Sequence, residues 1–168
     1  SVEAAAGRKV ATLDYDLASR HVVEHIGATM VPATVATFAP RFNNGDVDIA
    51  YAPAVAYEPF EMYKGLGEDG GIYRFAFAQM NFQLISYSDQ FPEGFGQKSR
   101  ELMANKYLEA IKTIEQSEQT IPEKYWIEIS DADKDIWNET FRESRIALRE
   151  RKVYNAKALT LFRKVRCK

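Results

Sequence analysis

The chain has too little of several residue types to belong to some large classes of protein. Its single cysteine, Cys167, excludes an internal disulfide. No apolar run approaches the ~18 residues that indicate a membrane-spanning helix, so no membrane span is predicted. The formal net charge of −2 argues against a nucleic-acid binder and against a binder of anionic membranes. The 168 residues with 46% hydrophobic content are instead enough to bury a core.

The most informative stretch runs from residue 7 to residue 63, where short apolar strands alternate with helices. We predict strands at Lys9–Leu13, Thr29–Pro32 and Gly45–Pro53, and helices at Asp16–Ile26 and Val35–Asn44. Because a parallel crossover needs a helix-length connection, this alternation predicts a parallel sheet and an α/β fold. Pro40 lies inside the second helical stretch, so that helix is expected to begin late, near Ala39, or to be kinked.

Parallel sheets bind ligands outside the carboxyl ends of their strands, which gives a candidate site here. Asp14 and Tyr15 follow the first strand, and Tyr51, Tyr57 and Glu58 lie around the end of the third. Carboxylates beside aromatic rings suit a cationic or amine-bearing solute. Helix capping or simple solvation is the alternative role for the two acids.

The segment from Gly71 to Ser88 is rich in aromatics and has no proline and no interior glycine. It is predicted as one unusually long strand. At about 3.3 Å per residue such a strand is near 50 Å long, which suggests that it is shared between two lobes. Gln79 and Asn81 lie on its polar face, and they are candidates either for ligand hydrogen bonds at a hinge or for an exposed sheet face.

The remaining sequence is predicted to be mainly helical. A long helix is expected from about Phe95 to Glu118, with an apolar stripe that packs on the core. The members of this apolar stripe share helical spacing: Met103, Ala104, Tyr107, Leu108, Ile111 and Ile114. Ser130 and Asp133 predict a capped helix start. Residues expected to point inward from this helix are Ile136, Trp137, Phe141 and Leu148, and a final helix carries Leu159, Phe162 and Val165. The basic end of the last helix complements the helix dipole or, alternatively, contacts a partner.

The only two histidines, His21 and His25, enclose an H-x-x-E-H pattern with Glu24. This pattern is a signature of zinc proteases, in which two histidines bind zinc and the glutamate activates water. No third ligand can be identified, and an ordinary surface helix is the alternative. No Ser-His-Asp or Cys-His constellation can be assembled either. The chain is therefore predicted not to be an enzyme, and no cofactor or metal is predicted.

The order of small motifs between residues 7 and 63 resembles the second domain of TRAP-type periplasmic solute-binding proteins. The matching residues are Gly7, Lys9, Gly27, Ala28, Pro32, Gly45, Val47, Asp48 and Pro53. More narrowly, the chain resembles a subfamily labelled as RND-type efflux pump proteins involved in aminoglycoside resistance. The likeness is clear over these residues and extends through the long strand and helix to about residue 118.

The resemblance implies a lobe of a periplasmic-binding-protein fold that captures a small solute in a cleft and delivers it to membrane transporter subunits. It implies a periplasmic location. The alternative it leaves open is a non-enzymatic interaction component of drug efflux. Two positions depart from the family pattern: the arginine that clamps a substrate carboxylate is replaced by Ala11, and a ligand-facing asparagine by Ala52. An organic-acid ligand would therefore need another anchor.

The resemblance also suggests how the chain is organised. Residues 1–70 are expected to form the ligand-binding core, 71–118 the long strand and connecting helix, and 119–168 a helical region packed on the lobe. The chain has no initiator methionine and no signal peptide at Ser1, so it is expected to be a processed or truncated form, or a short paralogue. A single lobe would expose apolar surface, which predicts self-association.

Overall fold

The chain folds into a mixed α/β structure with two small parallel sheets and several helices. The computed structural model describes residues 1–78 and 84–166. The strands are β1 Lys9–Leu13, β2 Thr29–Ala33, β3 Ile49–Ala50, β4 Ile72–Tyr73 and β5 Trp126–Ile127. The helices are α1 Leu17–His25, α2 Phe38–Asn43, α3 Tyr63–Leu66, α4 Phe95–Gln119, α5 Asp131–Glu150 and α6 Ala156–Arg166.

The first sheet has the order β2-β1-β3, and all its pairs are parallel. Val10, Ala11 and Thr12 of the central strand are buried, and Thr12 has no exposed surface. A continuous buried run of this kind is typical of a parallel strand covered on both faces. The predicted strand at Lys9–Leu13 is confirmed, as are the helix after it and the strand that begins at Thr29.

Two glycines of the sequence motif end the helices that cover this sheet. Gly27 follows α1 with φ +72°, and Gly45 follows α2 with φ +77°. The amide of Ala28 donates to the carbonyl of Val23 at 3.1 Å, a bond that satisfies an orphan carbonyl of the helix end. A residue with a Cβ is strained at such a φ, so glycine is favoured at both positions.

The second helix begins late, as Pro40 predicted, because α2 starts at Phe38 and Pro40 lies in its first turn. A proline is tolerated there, since the first-turn amides have no partner within the helix. The third strand is much shorter than predicted and covers only Ile49–Ala50. Before it, the Lys9 amide donates to the Asp48 carboxylate at 2.8 Å. After it, Pro53 has no amide hydrogen to donate to a neighbouring strand.

The long strand predicted between residues 71 and 88 is wrong for the part of it that the structure describes. Only Ile72–Tyr73 is strand, residues 74–78 and 84–87 are irregular, and a 3₁₀ turn begins at residue 88. A strand needs a partner, and β4 pairs only with the two residues of β5. The aromatic composition therefore indicated β propensity, but in the described part of this segment only Ile72–Tyr73 has a strand to pair with.

The long helix is confirmed at Phe95–Gln119, but its apolar stripe is not part of the core. Every residue of α4 is described, and none is buried. Met103 is 60% exposed and Tyr107 is 62% exposed. The core instead combines α2 and α3 with the segment after α4: Ala39, Tyr57, Met62, Leu66, Ile121 and Tyr125. The α4 stripe thus faces outward, which corrects the predicted core role.

The predicted cap of α5 is confirmed, and its inward face is confirmed in part. Trp137 and Leu148 are buried, Phe141 is half-buried, and Ile136 is exposed. In α6, Leu159 is half-buried while Phe162 and Val165 are exposed. Within residues 1–78 and 84–166, no helix combines the length and apolar composition needed to cross a membrane.

Replacing Ser130 with alanine is expected to destabilise the chain by about 1 kcal/mol. The Ser130 hydroxyl accepts from the Asp133 amide at 3.1 Å, and its loss leaves that first-turn amide without a partner in the helix. Urea unfolding of Ser130→Ala and Ser130→Thr separates the cap from the side-chain change, because threonine keeps the accepting oxygen. Equal stability of wild type and Ser130→Ala would show that this cap contributes nothing.

Candidate functional site

The three loops that follow β1, β2 and β3 meet at the carboxyl edge of the first sheet. The Asp14 amide donates to the Ala33 carbonyl at 3.1 Å, which ties the first loop to the end of β2. In the second loop, the Thr34 amide donates to the Thr37 hydroxyl at 2.9 Å, so this loop satisfies its own backbone. The edge is therefore built from loops held in place by short-range hydrogen bonds.

Tyr51 joins the third loop to the first. Its hydroxyl accepts from the Leu13 amide and donates to the Asp16 carboxylate, both at 3.4 Å. Burial raises the pKa of the Tyr51 hydroxyl, so the ring stays a neutral donor across the physiological range. The sequence analysis proposed Tyr51 as a ligand contact, and in the structure it also holds two loops together.

Asp16 is the N-cap of α1 and the polar centre of this edge. One carboxylate oxygen accepts from the amides of Ala18 at 3.1 Å and Ser19 at 3.0 Å. The other accepts from the hydroxyls of Ser19 and Tyr51. The carboxylate therefore has its hydrogen bonds satisfied by the protein, and its role is structural.

Asp14 and Tyr15 form the open part of the edge. The Tyr15 ring is 69% exposed, and Asp14 is exposed too. The Asp14 carbonyl accepts from the Arg20 guanidinium at 3.4 Å, but no described residue makes a hydrogen bond or an ion pair with the Asp14 carboxylate. This edge thus offers one solvated carboxylate beside one solvated ring.

Among the described residues, the side chains of Tyr57 and Glu58 make no hydrogen bond to Asp14, Tyr15, Asp16 or Tyr51. Tyr57 is in the core at 5% exposed, edge-on to Tyr63 with ring centroids 6.0 Å apart, so its ring is not available to a solute. Glu58 is exposed, and its carboxylate makes no hydrogen bond or ion pair with the described residues of the three loops. Gln79 and Asn81 lie outside the described residues. Ala11, at the position of the family's arginine, is buried in the centre of the sheet, while Ala52 is exposed.

The two histidines of the zinc-protease pattern lie on α1 but have different environments. Their rings stack with centroids 6.0 Å apart. His21 is buried, and neither of its ring nitrogens has a partner among the described residues. The His25 Nε2 lies 3.1 Å from a carboxylate oxygen of Glu143 on α5. In the part of the chain that is described, no three metal-ligating side chains come together around them.

Comparison with known proteins assigns the family. The family model described as solute-binding protein AdeT 1/2 matches residues 1–168, the whole chain. The chain belongs to the AdeT 1/2 family of solute-binding proteins. This supports the solute-binding role that the motif order between residues 7 and 63 indicated.

Two relatives of this AdeT-family chain come from Acinetobacter baumannii. Probable solute-binding protein AdeT1 is 42% identical over 164 residues, which cover 98% of this chain and 54% of the relative. Probable solute-binding protein AdeT2 is 24% identical over 162 residues, which cover 96% of this chain and 68% of the relative. The chain thus spans about half to two thirds of the length of these relatives. No solved structure matches the chain.

Two residues of the edge, and Tyr154 near them, were not predicted as site residues of this AdeT-family chain. Asp16 and Ser19 form an Asp-x-x-Ser pattern ahead of an apolar helix, a capping signal that could have identified both. Tyr154, which follows α5, was not foreseeable. Burial and then the nearby negative charge of Asp16 raise the pKa of the Tyr154 hydroxyl.

Proposed function

We propose that this chain is the ligand-binding part of an extracytoplasmic solute-binding protein that captures a small solute without catalysing a reaction. Membership of the AdeT 1/2 family and the names of the two relatives support solute binding. The parallel sheet supports the place, because ligands of such sheets bind beyond the carboxyl ends of the strands. Closure around the solute would select the bound state.

The observation that carries the proposed ligand class is the exposed carboxylate of Asp14, with which no described residue pairs, next in sequence to the exposed ring of Tyr15. An ammonium group gains charge-assisted hydrogen bonds from a carboxylate and a cation–π contact from a ring. Ala11 occupies the position at which the TRAP pattern has its carboxylate-binding arginine. The edge therefore suits a cationic or amine-bearing solute better than an organic acid. Tyr51 contributes by joining the third loop to the first through its hydroxyl.

Asp14→Asn is expected to weaken binding of a cationic solute about tenfold, since it removes one charge-assisted contact of about 1.4 kcal/mol. Titration calorimetry with putrescine, kanamycin and succinate tests the ligand class directly. Asp46→Asn is the matched control, because Asp46 is another exposed acid that lies after α2, away from this edge. Stronger binding of succinate than of either amine would contradict the proposed class.

Glu58 enters the proposal as a second exposed acid, further along the chain from the sheet edge. Because it lies after the third loop and is exposed, it is positioned to attract a cation at longer range. The double variant Asp14→Asn, Glu58→Gln should therefore bind putrescine more weakly than either single variant. If the affinity of the double variant equals that of wild type, neither acid takes part in binding.

The finer assignment rests on the motif resemblance. We propose that the fold is a lobe of the TRAP receptor type, that the protein works in the periplasm and that membrane transporter subunits receive its solute. The domain division at residues 70 and 118 belongs to the same proposal. The chain covers 54% of AdeT1, so the solute and the partners assigned to it here are proposals.

A second candidate function is a non-enzymatic interaction component of aminoglycoside efflux. The exposed α4 stripe favours it, because an uncovered apolar helix face is a typical protein-contact surface. Saturable binding of a small solute at the sheet edge favours the receptor. Capture of a purified efflux-pump subunit by a chain that binds none of the three probe solutes favours the interaction component.

A further inference from the structure

The α4 helix carries an apolar face that the described part of the chain leaves largely exposed. Its stripe residues are exposed or half-buried, with Tyr107 at 62% and Ile114 at 43% exposed. The body of the chain meets this helix at the 3₁₀ turn Ala54–Ala56. A helix that is apolar on one face and still exposed there is a candidate contact surface.

A charged residue lies at each end of this apolar face. Arg100 precedes the stripe and Glu118 follows it, and both fall on the same side of the helix as Tyr107 at spacings of three or four residues. The two charged residues lie about 27 Å apart along the helix axis. The stripe therefore ends in a cation on its N-terminal side and an anion on its C-terminal side.

Three pairs of positions on this face lie symmetrically along the helix axis about Glu109, which itself is on the opposite side of the helix. Arg100 and Glu118 lie equally far from it, as do Ala104 and Ile114, and as do Tyr107 and Ile111. When a second α4 is laid antiparallel across the first with Glu109 at the centre, each Arg100 meets a Glu118 and each Tyr107 meets an Ile111. In a two-fold interface, each residue of one subunit faces a residue of the other, and the same pair of residues meets again with the subunits exchanged.

We propose that two copies of this chain pair through antiparallel α4 helices, with Arg100–Glu118 ion pairs closing both ends of the α4 stripe. Both charged groups are available for this. Arg100 donates to Gln97 of its own helix at 3.1 and 3.3 Å and makes no ion pair among the described residues. Glu118 is exposed and likewise has no described ion-pair partner. The proposal does not depend on the nature of the solute.

The test is sedimentation equilibrium of the wild-type chain and of charge-swapped variants. Wild type is expected at twice its mass of 19.1 kDa. Arg100→Glu and Glu118→Arg each place like charges together at both ends, so each should raise the dimer dissociation constant about tenfold or more. An equimolar mixture of the two variants, and the double variant Arg100→Glu, Glu118→Arg, should dimerise as wild type does.

Two controls keep the result specific to this face. Lys98→Glu makes the same charge change on the opposite side of α4 and should leave the dimer intact. Tyr107→Asp changes an exposed residue at the centre of the stripe and should give a monomer with unchanged helix content by circular dichroism. A monomeric wild type, a dimer unaffected by Arg100→Glu, or a Lys98→Glu effect as large as that of Arg100→Glu would each overturn the proposal.

Discussion

Replacing Trp137 with alanine is expected to cost about 3–5 kcal/mol of unfolding free energy. The ring is 3% exposed, stacks on Phe141 of its own helix with centroids 5.5 Å apart and contacts Phe77 at 4.6 Å. Its loss would open a cavity where α5 meets the segment after β4. Because a domain of this size has only about 5–15 kcal/mol of stability, the variant should lie near the limit of folding.

Urea unfolding followed by circular dichroism measures this cost, and two variants calibrate it. Ile136→Ala changes the adjacent residue, which is 43% exposed, and should cost less than about 1 kcal/mol. Trp137→Phe keeps an aromatic ring and removes an indole N–H that has no partner among the described residues, so its cost should be nearer 1–2 kcal/mol. Equal costs for Trp137→Ala and Ile136→Ala would mean that the aromatic cluster does not stabilise the fold.

The first strand–helix–strand unit could be predicted from the sequence because local and tertiary signals agree there. The apolar run at Lys9–Leu13 is long enough to be buried on both faces, and Asp16 and Gly27 mark the two ends of α1. Each of these signals acts within a few residues. Agreement between levels of this kind makes an element predictable.

Other elements depended on partners that the local pattern does not reveal. The segment after Gly71 has strand composition, yet its described part pairs only through Ile72–Tyr73 because β5 has two residues. The α4 helix has an apolar face, but periodicity reports which face is apolar and not what covers it. The residues of each element indicated its strand propensity or its helix, but they did not show which part of the chain it packs against.

The candidate site divides in the same way. Asp14, Tyr15 and Tyr51 were expected at the carboxyl edge, since strand ends in a parallel sheet share one edge. The burial of Tyr57 could not be foreseen because it depends on Tyr125, which joins the same core from far along the chain. The effect of the Asp16 charge on the pKa of Tyr154 likewise joins residues far apart in the sequence and has no local signal.

Acid is expected to destabilise this chain through His21. Both ring nitrogens are buried without a partner among the described residues, and protonation would place a charge where burial disfavours it. Burial, then the nearby Arg151 and His25 charges, lower the pKa of His21, while Glu24 acts in the opposite direction. The unfolded chain therefore binds the proton more readily, and stability falls as the pH drops below the unfolded pKa of about 6.5.

His21→Leu should remove this part of the pH dependence and raise stability near neutral pH by about 1–3 kcal/mol, because it deletes two unsatisfied polar atoms from a buried position. His21→Gln should also remove the pH dependence but without that gain, since a glutamine amide stays polar and does not titrate. The measurement is the difference in unfolding free energy between wild type and each variant from pH 7.5 to 5, in which other acids cancel. A constant difference across that range would show that the buried imidazole does not set the acid sensitivity of the fold, whereas a gap that widens as the pH falls would assign it to this one side chain between α1 and α5.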